Sequence, residues 1–280
     1  MTVLVGLLGW PVSHSASPAM FRAAFEVTGL DAVYLPFAVQ PDNLLPALDG
    51  LRALGAKGVN VTIPHKRAVY QQMNSLTDEA RMVGAVNCVG MDKIDGFVGH
   101  NTDVAGWWAG LQPMLTDGMS QVTVLGAGGA TRAVLAAFAC YRNNVQVHVA
   151  ARDEARAQVL IEAFAPYLNV QTCAWSARHQ AIESSHIVVN TTSVGMWPNV
   201  ADSPVDVADV FCKGQLVQDV VYRPAITKFL AQARAQGATV VDGAPMLVHQ
   251  GARAFEYWFG QPAPIDAMYR AVTTHLGSDT

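Results

Sequence analysis

Charge is scarce in this chain: Asp, Glu, Lys and Arg make up 14% of its 280 residues, against roughly 25% in an average globular domain. The net charge is −4 and there is no basic run or tail. A surface built to neutralise phosphate backbones is therefore not expected, and nucleic acid is set aside as a partner. Cysteine is sparse too. Cys88, Cys140, Cys173 and Cys212 lie far apart with no C-x-x-C pair, which removes zinc and dithiol motifs. No metal site is expected, and the four read as small buried residues of a reducing compartment. No apolar run approaches the ~20 residues that span a bilayer, and "MTVLVGLLGWP" reads as a buried strand rather than a signal segment. There is no internal repeat and no low-complexity tract. With 51% hydrophobic residues, disorder is excluded. A cytoplasmic protein without a membrane partner is expected, as a monomer or homodimer.

What is present is alternation. A chain of this length favours two domains over one core. β-branched apolar runs predict strands at 3–9, 33–39, 58–63, 86–90, 121–126, 145–151, 170–175, 186–192, 216–222 and 238–243. Helical patterns fit 18–28, 42–54, 64–74, 104–115, 129–142, 153–165, 226–236 and 245–259. Strand-helix alternation of this kind implies an α/β fold with parallel sheets covered on both faces. The clearest seam is "QPMLTDGMSQ" (112–121), and the last helix opens with Pro245 and stops at Gly260.

"VTVLGAGGATRAVLAAFA" combines a buried strand, a glycine turn and an alanine-rich helix. Gly126, Ala127, Gly128, Gly129 and Ala130 form a turn whose amides can approach a pyrophosphate at the helix N-terminus. G-x-G-G-A departs from G-x-G-x-x-G, so a tight turn with no ligand stays open at this point. The next strand sharpens the reading. Arg152 follows it, near the ~20-residue offset at which such folds read the adenosine ribose. Arg152 and Arg156 stand four apart in "ARDEAR" and can clamp a 2′-phosphate, while Asp153 between them keeps NAD open beside NADP.

A second set of polar residues gathers at strand ends. In "GWPVSHSASPAM", Ser17 reads as an N-cap with Pro18 at N1, and Gly29 closes the helix. Ser15 and Ser17 would then lie over free amides that suit a carboxylate. In "GVNVTIPHK", Asn60 and Thr62 share the polar face of a strand, and Pro64 opens a helix that puts Lys66 in its first turn, where the dipole disfavours a cation. Asn87 ends "GAVN", and Asn101, Thr102 and Asp103 stand just ahead of the next helix, Asp103 reading equally as an N-cap. Gln250 shares a helix face with Leu247 and Ala254 and needs a polar partner.

These segments, with "GHNTDVAG", "GAGGATRA", "NTTSVGM", "DVVYRP" and "MLVHQGARAF", arrive in an order that resembles the shikimate dehydrogenase family across nearly the whole chain. The resemblance implies NADP-linked, reversible reduction of 3-dehydroshikimate to shikimate. It implies a substrate domain over 1–104, a Rossmann domain over 105–243, and C-terminal helices over 244–280 returning to the first. By the same resemblance Ser15 and Ser17 bind the substrate carboxylate, Asn60, Thr62 and Asn87 hold hydroxyls, and Tyr222 and Gln250 complete the pocket. Thr191 and Met246 join the cofactor residues, and Lys66 with Asp103 forms the catalytic pair. Among the five lysines (Lys57, Lys66, Lys93, Lys213, Lys228), Lys66 alone stands beside the strand-end polar cluster. There are departures from the family pattern. His65 replaces a usual phenylalanine, "ARD" a common "NRT" or "NRS", and Arg223 a common asparagine. The first two bear on cofactor choice or pocket shape and keep open a quinate/shikimate dehydrogenase using NAD or both cofactors. A ligand-sensing homologue without chemistry is a separate alternative, against which intact Lys66 and Asp103 argue.

Overall fold

Residues 2–92, 96–207 and 209–278 are described by a computed structural model. The chain forms two compact units, Met1–Gly106 with Val248–Thr280, and Trp107–Leu247. The seam-like stretch 112–121 lies wholly inside the second unit. Among the described residues no helix is long and apolar enough to cross a membrane.

In the first unit the elements are β1 (Val3–Gly9), α1 (Ser17–Thr28), β2 (Ala32–Ala38), α2 (Leu44–Ala53), β3 (Gly58–Val61) and α3 (Lys66–Tyr70). Then come β4 (Ser75–Leu76), α4 (Asp78–Val83), β5 (Cys88–Asp92), β6 (Gly96–His100) and the start of α5 (Thr102–Leu111), whose residues from Trp107 on belong to the second unit. The strands lie in the order β2-β1-β3-β5-β6-β4. β1 runs parallel to β2 and β3, β4 runs parallel to β6, and β5 is antiparallel to both its neighbours. Leu44, Leu48 and Leu51 of α2 pack with Leu8, Val59, Val61 and Val89 of the sheet into one buried cluster. α1 buries Met20, Phe21, Ala24 and Phe25, the spacing of an apolar helical stripe, and Gly29 ends it at φ 67°. Late in the chain, α10 (Ala244–Phe259) and α11 (Ile265–Ser278) follow, and α11 packs against α1.

The second unit holds β7 (Gln121–Leu125), α6 (Gly129–Tyr141), β8 (Gln146–Ala151), α7 (Glu154–Phe164), β9 (Asn169–Ala174) and α8 (Arg178–Glu183). β10 (Ile187–Asn190), β11 (Leu216–Asp219), α9 (Lys228–Ala235) and β12 (Thr239–Val241) complete it. All six strands are parallel, ordered β12-β11-β10-β7-β8-β9. That is the doubly wound order, with its reversal between β7 and β10, where such sheets bind ligands. At the centre of the sheet β7 and β10 are buried on both faces, as near-continuous apolar strands require. The fold is α/β with parallel-rich sheets, as its strand-helix alternation predicts.

The structure departs from the sequence expectations in several places. α3 spans five residues, and Pro64 sits in the preceding turn rather than opening a helix. So short a helix has little dipole, so the unfavourable end expected at Lys66 is weak. α5 begins at Thr102 and stops at Leu111, where Pro113 turns the chain into a 3-10 segment, Gln112–Met114. The short elements β4, β6, α4 and α8 were not foreseen, and the helix read over 245–259 is not the last, since α11 follows it; β6 reads GFVGH, too glycine-rich to declare itself. Only Cys88 is buried as expected, and Cys140 and Cys212 are exposed. Lys93 lies outside the described residues.

Gly106 is among the glycines that permit a close approach. A Cβ at Gly106 of α5 would meet the Gln250 backbone of α10 at 2.5 and 2.7 Å. Gly106→Ala is expected to lower the urea midpoint by the equivalent of about 1–3 kcal/mol, the range for overpacking a tight contact. An unchanged midpoint would show that the two helices do not depend on this contact.

Candidate functional site

Lys66 opens α3, and its Nζ donates to Asp103 Oδ2 at 2.7 Å. Asp103 stands in the first turn of α5, where the helix end favours a carboxylate. Side-chain exposures of 30% for Lys66 and 12% for Asp103 leave part of the lysine side chain accessible. An ammonium has three N–H donors, so capacity remains for a ligand oxygen. The expectation that Asp103 precedes the helix is corrected: it lies inside α5.

Asn87 organises this corner. It sits just before β5, and its Oδ1 accepts from the Thr102 backbone N at 2.7 Å, so it caps α5 from outside. Its Nδ2 reaches Asp103 Oδ1 at 2.8 Å and Thr102 Oγ1 at 3.0 Å. A third acceptor, Gln250 Oε1, lies at 3.5 Å and is the loosest of the three. Asn101 donates to the Ala85 carbonyl at 3.0 Å, fastening the α4–β5 and β6–α5 links together. The Val86 amide also donates to the Lys66 carbonyl, at 2.9 Å.

The strand exits supply the rest. Asn60 of β3 is buried, donates Nδ2 to the Asn87 carbonyl at 3.2 Å, and accepts from the Tyr34 hydroxyl of β2 at 2.9 Å. Thr62 follows β3 and is half-buried; a Cβ on Gly9 would collide with its methyl, so Gly9 lets the β1 and β3 exits close up. His65 is buried and its Nε2 meets the Val39 carbonyl at 2.7 Å. At α1 the expectation is corrected. The N-cap is Ala16, Ser17 is the first helical residue, and Ser15 Oγ accepts from the Ser17 amide at 3.2 Å. Capping therefore falls to Ser15, because the αR backbone of Ala16 carries the chain into the helix a residue early. Tyr34 had no place in the sequence reading, although a buried tyrosine in an apolar strand signals a hydroxyl that needs a partner. Burial pushes its phenol well above the usual range.

Ser15, Ser17, Asn60, Thr62, Lys66, Asn87, Asp103 and Gln250 all belong to the first unit, whereas Tyr222 and Met246 belong to the second. In the second unit Gly126 follows β7 at φ 110°, a left-handed backbone that suits glycine. A Cβ at Gly128 or Gly129 would meet nothing within 4 Å, so the turn presents open space at the head of α6. The Gly128 amide donates to Thr131 Oγ1 at 3.0 Å, and that hydroxyl lies 2.8 Å from Thr191 Oγ1 at the β10 exit. The amides of Gly129 and Ala130 head the helix without intrahelical acceptors, as first-turn amides do. An open glycine cradle at a helix N-terminus fits a dinucleotide pyrophosphate. Arg152 and Arg156 are exposed on either side of Asp153. Asp153 is the N-cap of α7 and accepts from the Arg156 amide at 2.9 Å.

Behind the turn, buried Asp219 at the end of β11 accepts from Asn190 Nδ2 at 3.0 Å, the Val221 amide at 3.0 Å and Thr227 Oγ1 at 2.7 Å. Asn190 Oδ1 in turn accepts from the Thr192 amide at 3.0 Å. Tyr222 is half-buried, burial raises its phenol, and the adjacent Arg223 opposes that rise. The Arg223 guanidinium lies 4.7 Å over the Trp197 ring, joining the β10 and β11 exit loops.

This is a two-unit α/β protein, one unit of dinucleotide-binding type and the other carrying a lysine-aspartate pair among strand-end amides. Residues 7–89 match the family described as shikimate dehydrogenase substrate binding domain, and residues 243–273 match shikimate 5′-dehydrogenase C-terminal domain. Shikimate dehydrogenase (NADP(+)) of Thermosynechococcus vestitus is 41% identical over 283 residues, covering 99% of this chain and 97% of that protein. Shikimate 5-dehydrogenase from Thermus thermophilus, in complex with NADP(H) and shikimate, matches with TM-score 0.89 at 33% identity, over 98% of this chain and 100% of that one. Quinate dehydrogenase from Corynebacterium glutamicum, in complex with NAD, matches with TM-score 0.90 at 29% identity, over 98% and 99%. The chain belongs to the shikimate dehydrogenase family.

Burial raises the Asp219 carboxyl from 3.8 to about 6, against the opposing bonds from Thr227, Val221 and Asn190. A carboxyl whose folded value exceeds its unfolded one stabilises the fold below the unfolded value, and that contribution is lost as pH rises through the folded one. The stability of the wild type minus that of Asp219→Asn is therefore expected to fall between about pH 4 and 6. Urea midpoints across that range check it, and a flat difference would show that Asp219 titrates normally.

Proposed function

We propose that the chain is an NADP-dependent oxidoreductase that interconverts 3-dehydroshikimate and shikimate, with the substrate held by the first unit and NADP by the second. The observation that carries this reading is the 2.7 Å Lys66–Asp103 pair, fixed by Asn87, in a chain of this family. Reduction of a ring ketone requires a hydride at carbon and a proton at oxygen. A dinucleotide held in the second unit would supply the hydride. Lys66 supplies the proton from Nζ, since a general acid must stand within hydrogen-bond reach of the oxygen it protonates. Asp103 holds the ammonium through Oδ2 while Asn87 holds Asp103 through Oδ1. In the oxidative direction the same nitrogen takes the proton back.

Around that centre, Asn60, Thr62, Asn87 and Gln250 hold ring hydroxyls and Ser15 and Ser17 receive the carboxylate; Tyr222 of the second unit is a further substrate residue by family resemblance. Gly126, Ala127, Gly128, Gly129 and Ala130 would cradle the pyrophosphate, with Thr191 behind them and Met246 beside the cofactor. Arg152 and Arg156 would take the 2′-phosphate. Asp153 is already occupied as a helix cap, which weakens its claim on a free ribose hydroxyl and favours NADP over NAD.

Lys66→Ala is expected to lower kcat by about 10²–10⁴ with KM within a few-fold, as for loss of a general acid-base group. Collapse of binding with turnover preserved would make Lys66 a binding residue. Arg152→Ala should weaken use of NADPH while sparing NADH, and equal losses for both would reject the phosphate clamp. Steady-state rates for shikimate and quinate, each with NADP and NAD, test the whole reading. Preference for quinate or for NAD would reassign the chain to a quinate/shikimate dehydrogenase.

A further inference from the structure

Tyr34 reaches the strand-exit amides from the edge strand β2. It is 6% exposed, its ring lies 4.2 Å from that of Phe21 at 13°, and its hydroxyl is bonded to Asn60 Oδ1 at 2.9 Å. Which way the Asn60 amide points follows from its other partner. The Asn87 backbone carbonyl, 3.2 Å away, can only accept, so it must face Nδ2. Oδ1 therefore faces Tyr34, and the tyrosine must donate. With Oδ1 held by Tyr34 and one N–H held by Asn87, Asn60 has one N–H left to offer.

We propose that Tyr34 is a positioning residue for substrate binding: by holding Asn60 Oδ1 it aims the remaining Asn60 N–H at a ligand oxygen. This rests on the functional reading above and adds to it a residue that touches no substrate. Removal of the hydroxyl would leave a buried amide oxygen without its donor, and Asn60 would turn to recover one. The stacked ring, by contrast, does not need the hydroxyl, so the phenylalanine variant keeps its packing on Phe21.

The test is a double-mutant cycle with Tyr34→Phe and Asn60→Ala, read as KM and kcat for shikimate and KM for NADP. Tyr34→Phe is expected to raise the KM for shikimate about tenfold, the scale of one lost hydrogen bond. kcat and the KM for NADP should stay within about threefold and the thermal midpoint within a few degrees, which shows the fold intact. The Tyr34 hydroxyl also meets the Ser17 side chain, so in the double variant the shikimate KM should lie close to that of Asn60→Ala alone and well short of the product of the two single effects, because Tyr34 acts chiefly through Asn60. An unchanged KM in Tyr34→Phe, or effects that multiply in the double variant, would overturn the inference. A wild-type protein inactive on shikimate would instead defeat the functional reading.

Discussion

The Asn87 side-chain amide holds the first unit's site together. One of its ends is bound to the backbone of α5 and the other to the Asp103 carboxylate, so the helix and its charged residue are fixed by the same planar group. The Asn87 carbonyl fixes Asn60, and the Val86 amide beside it holds the Lys66 carbonyl. Backbone and side chain of this short link thus reach three elements that are remote in sequence. The constraint is geometric: an amide has two donors and one acceptor in a rigid plane, so moving one partner disturbs the others.

The second unit uses a different device for the same purpose. Thr131 and Thr191 tie the glycine turn to the exit of β10, and Asp219, at the end of β11, ties that exit to Thr227, the N-cap of α9. A buried carboxylate is a costly anchor, as the rise of its titration toward 6 shows. Three directed hydrogen bonds offset that cost, and they hold loops whose own backbone has few regular partners.

Strand-helix alternation and glycine punctuation carried most of the fold, because long apolar strands and amphipathic helices advertise their period. Short elements were hidden: β4 has two residues and α3 five, too few for a pattern. Lys66, Asn87 and Asp103 were legible one by one, as polar residues where an apolar pattern ends, and Gln250 as a polar residue on an apolar helix face. Their mutual bonding was not, since it joins positions separated by up to 163 residues. Ser15 and Ser17 were both noticed, yet their capping roles came out exchanged, because a one-residue shift in a helix start is beyond pattern reading. Asp153 looked like an obstacle to NADP because residue type was visible and its occupation by a helix cap was not.

The run of bonds from Tyr34 through Asn60, Asn87 and Asp103 to Lys66 has a thermodynamic consequence. Side chains ordered while the chain folds have little rotational freedom to surrender later, and association usually loses about 0.5–1.5 kcal/mol for each side chain it immobilises. A small polar molecule reaching this corner would find its hosts already still. The loss of its own translational and rotational freedom and its desolvation are then the terms that remain opposed to binding.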